Sequence, residues 1–207
     1  MLATEFQHKT QNTEQQEEEK YLMRLLDKRW SPRSYSGKPI SNEKIQKLFD
    51  AGRQAMSSFN EQPWRVIFAS KEDDHYDKLF ECLSDFNQQW VKTASCLGVV
   101  LGKKHFTKLK KENRHRFYDS GAFMAYVALR ATSLGLFVHQ MAGFSPDNVI
   151  ENFEIPGEFE PITMFVIGQP DDPEKLPEKL QEQESPNSER KGVNEILFGA
   201  EWGHSYV

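Results

Sequence analysis

The stretch that most restricts this chain is "CLGVVLG", residues 96–102. A run this apolar must leave water, yet it is far shorter than the roughly 20 residues that cross a bilayer as a helix. It therefore reads as a buried strand. Two other runs behave alike. Val66-Ile67-Phe68 follows Pro63, which fixes an extended approach, and "ITMFVIGQP" is closed by Gly168 and Pro170.

Helical patterns separate these strands. "EEEKYLMRLLDKR" places Tyr21, Leu22, Leu25 and Leu26 on one stripe, with acids first and bases last. "ISNEKIQKLFDAGRQAM" carries Ser41 as N-cap and an inner face of Ile45, Leu48, Phe49 and Gly52. "SKEDDHYDKLFECL" reads as a further capped helix, with Ser70 and Asp73 as the capping pair. "FYDSGAFMAYVALRATSLG" is a long helix whose Gly121, Ala122, Ala125 and Ala128 leave room for a close neighbour, within this subunit or across a dimer. "SPDNVIENF" starts with Ser145 as cap and Pro146 at the first helical position. Strands alternating with helices predict a mixed α/β or α+β sheet protein.

The length, 207 residues, suits one domain with a sizeable core. Residues 1–16, rich in Gln, Thr and Glu, are expected to be a flexible leader, and residues 17–207 a single domain. Its C-terminal arm, over about residues 171–207, is charged and Pro-punctuated but ends apolar in "VNEILFGAEWGHSYV". An arm that ends apolar needs a surface to dock on, and a second subunit is one candidate. The balance of 26 Lys and Arg against 31 Asp and Glu, net charge -5, argues against general affinity for nucleic acid or an acidic membrane. Two cysteines, Cys82 and Cys96, make no disulfide framework and point to a reducing, cytoplasmic compartment.

Chemistry concentrates in two places. In "RWSPRSY", residues 29–35, Pro32 pushes Ser31 towards an extended conformation, so Arg29, Ser31 and Arg33 would project to one side. Two guanidiniums around a hydroxyl suit a phosphate or a delocalised anion, or simply surface carboxylates. In "SSFNEQPW", Ser57, Ser58, Asn60 and Gln62 either satisfy backbone groups at a turn or hold a polyhydroxylated ligand. The histidines show no metal-ligand spacing, and His115 with Asp119 lacks a nucleophile to complete a triad. Residues 103–116, with seven Lys and Arg against one Glu, form a local basic patch that reads most simply as a solvated face.

Taken in order, "RWSPRSY", "SSFNEQPWRVIFA", "DSGAFMAYVALRATSLGLFVHQMAGF", "FVIGQP" and "SERKGVNEILF" resemble the landmarks of the FMN-dependent nitroreductase family, from about residue 17 to the end. The resemblance implies an α+β fold with a mainly antiparallel central sheet surrounded by helices. It also implies a domain-exchanged homodimer with FMN between the subunits. By the same resemblance Arg29 and Ser31 would meet the phosphate or ribityl end of FMN, Trp30 would wall the cofactor, and Arg33 would face the pyrimidine edge. Ser57, Ser58 and Asn60 would come from the partner chain, and Arg190 with Lys191 would complete the phosphate site.

The activity implied is NAD(P)H oxidation with ping-pong hydride transfer through flavin N5 to a small-molecule electron acceptor, a nitroaromatic, a quinone or similar. No catalytic side chain and no metal are required. Alternatives within the resemblance are a dehalogenase, an oxidase, a flavin-fragmenting enzyme, or a non-catalytic flavin-binding dimer. Two departures stand out. Trp30 replaces a usual basic or imidazole side chain, and Glu61 replaces the small residue usual between Asn and Gln, adding negative charge near the site. Asn87 and Lys92 match the family's ring contacts only loosely. The basic segment falls where relatives carry a variable cover, as a lid or a contact for the NADPH 2'-phosphate.

Overall fold

The structure is a computed structural model that describes residues 2–186 and 188–207, with the side chains of residues 2–14 excluded. The leader expected over residues 1–16 falls mostly on that excluded part. Among the described residues four strands form one sheet: β1 (Trp64–Ser70), β2 (Cys96–Lys103), β3 (Phe137–Met141) and β4 (Phe159–Gly168). Their order is β1-β2-β4-β3, and every neighbouring pair is antiparallel. Seven α-helices among the described residues surround it: α1 (Leu2–Lys28), α2 (Asn42–Gly52), α3 (Tyr76–Glu81), α4 (Asp85–Val91), α5 (Arg116–Ser133), α6 (Pro146–Asn152) and α7 (Glu178–Gln181). Among the described residues no helix is long and apolar enough to cross a membrane.

The sheet is covered on both faces, which explains the unbroken apolar character of β2. Successive β2 side chains point to opposite sides. Leu97, Val99 and Leu101 join Met164 and Val166 of β4 in one core, with Leu79 of α3, Trp90 and Val91 of α4 and Val149 of α6. Cys96 and Val100 join Phe165 and Ile167 in the other, with Leu48 of α2 and Phe123, Met124 and Val127 of α5. At Gly52, α2 crosses α5 so closely that a Cβ would stand 2.7 Å from Phe123 and from Val127. Only glycine fits that crossing.

The caps expected at Ser41 and Ser145 are present, accepting from the amides of Lys44 and Asn148. Gly135, at φ 72°, ends α5 in the left-handed conformation that glycine adopts freely. Three expectations change. Ser70 does not start a helix: it is the last residue of β1, its amide donates to Asp73 at 2.7 Å, and the helix begins at Tyr76 after a turn. β3 is a strand that the sequence does not announce, because His139 and Gln140 interrupt its apolar run. The stripe on α1 is hardly buried, with Tyr21, Leu22 and Leu26 exposed, because α1 packs mainly along α5.

The tail also differs from a free arm over its first part. Leu176 and Leu180 enter the core, so residues 173–184 pack against the domain. Beyond Glu184 the apolar side chains of Val193, Ile196, Trp202 and Tyr206 are exposed.

Candidate functional site

The segment from Arg29 to Tyr35 runs along the β3 and β4 edge of the sheet. Tyr35 bridges to Pro170, the Ser36 amide donates to the Gln169 carbonyl, and Trp30 meets Phe137 of β3 edge-on at 6.3 Å. The His139 ring nitrogen Nδ1 sits 2.9 Å from the Pro32 carbonyl, and the same ring lies against Trp90 at 4.7 Å. Trp90 donates to Asn87, which in turn donates to the Gly143 carbonyl. Asn87 is therefore spent on holding this chain of contacts rather than free to reach a ligand ring. Burial lowers the His139 pKa, with the Arg33 charge adding to the effect and the bond to the Pro32 carbonyl opposing it.

The extended run expected through Arg29, Ser31 and Arg33 is broken at Arg33, which sits at a bend. The cause is Glu184, a residue the sequence reading does not single out. Its Oε1 accepts from the backbone amides of Arg33 at 2.8 Å and Ser34 at 3.1 Å. Its Oε2 stands 4.0 Å from the Arg33 guanidinium, and its side chain is 1% exposed. Burial, and after it the Glu184 charge, pushes the Tyr35 phenol well above its ordinary pKa. The one sequence signal for this docking is the spacing of Leu176 and Leu180, which fits one apolar turn within a charged tail.

Arg29 opens onto a groove of about 480 Å³ lined by Leu26, Asp27, Pro186, Ser188, Glu189 and Arg190. Burial lowers the Arg29 pKa and the nearby Arg190 charge lowers it further. Among the described residues neither guanidinium has a carboxylate within ion-pair distance, although Asp27 and Glu189 share the groove. Two facing cations of this kind suit a doubly charged phosphate. Lys191 does not line the groove and is exposed. Ser31 is exposed at the segment's outer side.

Ser57, Ser58 and Asn60 lie elsewhere, in the turn that leads into β1. The Ser57 hydroxyl accepts from the Gln62 amide at 3.0 Å, and the Ser58 amide donates to the buried Asp119 of α5 at 3.1 Å. Phe59, Asn60 and Gln62 all have positive φ, between 50° and 54°, an arrangement that costs L-residues energy. Asn60 is exposed. This turn borders a cleft of about 520 Å³ with Phe59, Phe106, Tyr118, Arg114 and His115 on its walls. The turn leads into β1 and the Arg29–Tyr35 segment lies by β3 and β4, and β1 and β3 are the opposite edges of the sheet, about 14 Å apart.

Glu61 does not project its charge into that cleft. Its carboxylate accepts from the Thr107 amide at 2.9 and 3.0 Å and from the Thr107 hydroxyl, and Lys103 stands 3.9 Å away. The basic segment is a loop clamped here. Lys103 and Lys104 spend their charges on Thr107 and the Gly157 carbonyl, and Arg116 pairs with Glu160 and Glu112. Lys108 and Arg114 remain exposed.

Comparison with known proteins agrees with this architecture. Residues 26–88 match the profile described as the nitroreductase family. A solved structure described as an oxidoreductase containing FMN is 32% identical, with a TM-score of 0.82, over 86% of this chain and 91% of that one. A nitroreductase family protein from Clostridium difficile is 26% identical, with a TM-score of 0.66, over 86% of this chain and 96% of that one. The FMN reductase [NAD(P)H] of Bacillus subtilis is 26% identical over 83% of this chain and 74% of its own length. With the antiparallel sheet and its covering helices in place, the sequence and the fold together make this chain a member of the nitroreductase family.

Proposed function

We propose that the protein is an FMN-dependent NAD(P)H oxidoreductase that acts as a homodimer. Each cofactor would lie between the Arg29–Arg33 segment of one copy and the Ser57–Asn60 turn of the other. The observation that carries this reading is the facing pair Arg29 and Arg190, two guanidiniums in one groove with no carboxylate partner among the described residues. A phosphomonoester supplies the charge they lack. The donor set fits the rest of FMN: hydroxyls and an amide at Ser57, Ser58 and Asn60 for the ribityl chain, and Arg33 for the anionic edge of reduced flavin.

Bound FMN supplies a two-electron carrier between NAD(P)H and the acceptor, which gives a ping-pong cycle. The side chains bind and orient. Arg33 favours the reduced state by its charge, Trp30 and Phe137 close the site from the sheet edge, and the aromatic walls Phe59, Phe106 and Tyr118 suit a flat, electron-poor acceptor such as a nitroaromatic or a quinone.

A second copy is supported by three features. The two half-sites stand towards opposite edges of the sheet, with β2 and β4 between them. Gly121 and Ala125 of α5 and Tyr21, Leu22 and Leu26 of α1 present exposed small or apolar surface. The arm after Glu184 carries exposed Ile196, Trp202 and Tyr206 that need a surface to cover.

Visible absorbance of the purified protein, before and after anaerobic NADH or NADPH, tests the reading. A flavin spectrum that bleaches with either nucleotide is expected. A colourless protein that FMN cannot reconstitute would leave the fold and remove the activity.

A further inference from the structure

We infer that Glu184 is a positioning residue for Arg33, and that its charge limits how strongly this guanidinium stabilises reduced flavin. The inference rests on the FMN reading above. It starts from a cluster with no local explanation. Arg33 Nε, Tyr35 Oη and Glu184 Oε2 are all buried, and none has a hydrogen-bond partner among the described residues. Buried polar atoms left in this state are costly, and a buried carboxylate adds to the cost.

The geometry gives the cluster a use. One oxygen of Glu184 holds two consecutive amides, at Arg33 and Ser34, and so sets the bend from which the Arg33 side chain departs. The other oxygen stands 4.0 Å from the Arg33 guanidinium, close enough to offset its charge but too far for a hydrogen bond. The guanidinium is 22% exposed on its side chain and the carboxylate only 1%, so Arg33 can meet a ligand while Glu184 stands behind it. Ser34 is held separately, its hydroxyl donating to the Asp172 carbonyl at 2.6 Å. The backbone thus has a second anchor that survives a change at Glu184.

The carboxylate opposes the build-up of negative charge beyond Arg33. Removing its charge while keeping an acceptor for the two amides should favour bound reduced FMN over oxidised FMN. The test is Glu184→Gln, with the midpoint potential of bound FMN measured beside thermal unfolding. The expected result is a folded variant whose preference for reduced over oxidised FMN rises about tenfold, which is about +30 mV for a two-electron couple. A purely structural role would lower the melting temperature and leave the potential in place.

Glu184→Asp retains the charge and is the control, with an unchanged potential expected; if E184Q does not fold, Glu184→Ala, which removes the charge and leaves the Ser34 anchor, is expected to show the same rise. A folded E184Q with the wild-type potential, or an equal rise in E184D, overturns the role of Glu184. Wild-type protein that takes up no FMN overturns the functional reading itself and this inference with it, whereas FMN uptake with equal potentials defeats only the latter.

Discussion

The Arg29–Tyr35 segment and the Ser57–Gln62 turn serve the same proposed cofactor but are built in opposite ways. The first is irregular backbone pinned by buried partners: Glu184 on two amides, His139 at the Pro32 carbonyl, and Tyr35 bridged to Pro170. The second is largely exposed, has three residues at positive φ, and is held by two carboxylates, Asp119 on the Ser58 amide and Glu61 on Thr107. Charged groups that must face an anion gain from being fixed, since a guanidinium fork loses its advantage when it is free to turn. Hydroxyls and amides that follow a flexible ribityl chain can tolerate an open, strained turn.

The largest effect should come from removing the two cations of the groove. Arg29→Ala combined with Arg190→Ala is expected to weaken FMN binding about a hundredfold or more, each charge-assisted bond being worth ~1.5–3 kcal/mol. Riboflavin, which lacks the phosphate, should be affected little, and fluorescence titration with both ligands checks the difference. Equal losses for both would mean that the pair does not read the phosphate.

Next in size is the Asp119 tether of the open turn. Asp119→Ala would leave the Ser58 amide without its partner, at a cost of about 1–3 kcal/mol, visible as a lower urea midpoint. Asp119→Asn, which keeps an acceptor, should lose less.

The pinned segment should carry a pH signature. Burial lowers the His139 pKa below its ordinary 6.5, so the unfolded chain takes up the proton more readily than the folded one. The contribution of neutral His139 is then fully present above pH 6.5 and is lost as the pH falls towards the folded pKa. Unfolding followed from pH 7.5 to pH 5 should show His139→Asn losing less stability across that span than wild type. The smallest effect is expected at Gln62, exposed at φ 50°. Gln62→Gly should raise stability by about 0.5 kcal/mol, since glycine adopts that conformation without strain.

The same contrast marks what the sequence could tell. β1, β2 and β4 are legible because their apolar runs must be buried, and α2, α5 and α6 because periodicity and caps agree. β3 is hidden because His139 turns towards the Pro32 carbonyl and Gln140 faces outward, so no apolar run marks the strand. At the site, the motif residues of both half-sites are visible as local clusters. Their partners are not. Glu184 lies 151 residues from Arg33 and Asp119 lies 61 from Ser58, and a single carboxylate in a charged stretch gives no sign of which amide it will reach. Glu61 looks like a charge added to the site, and only its bonds to Thr107 show that the loop absorbs it.

The central claim is that one cofactor site needs the fixed segment of one copy and the open turn of another. Two variants each unable to hold FMN, Arg29→Ala with Arg33→Ala and Ser57→Ala with Asn60→Ala, can be co-expressed with different tags and purified together. Random pairing gives half the dimers one of each chain, and each mixed dimer has one site with both halves intact. Recovery of about a quarter of the wild-type FMN content is then the expected result. Mixed dimers that remain colourless would place both halves of the site in the same chain and contradict the account.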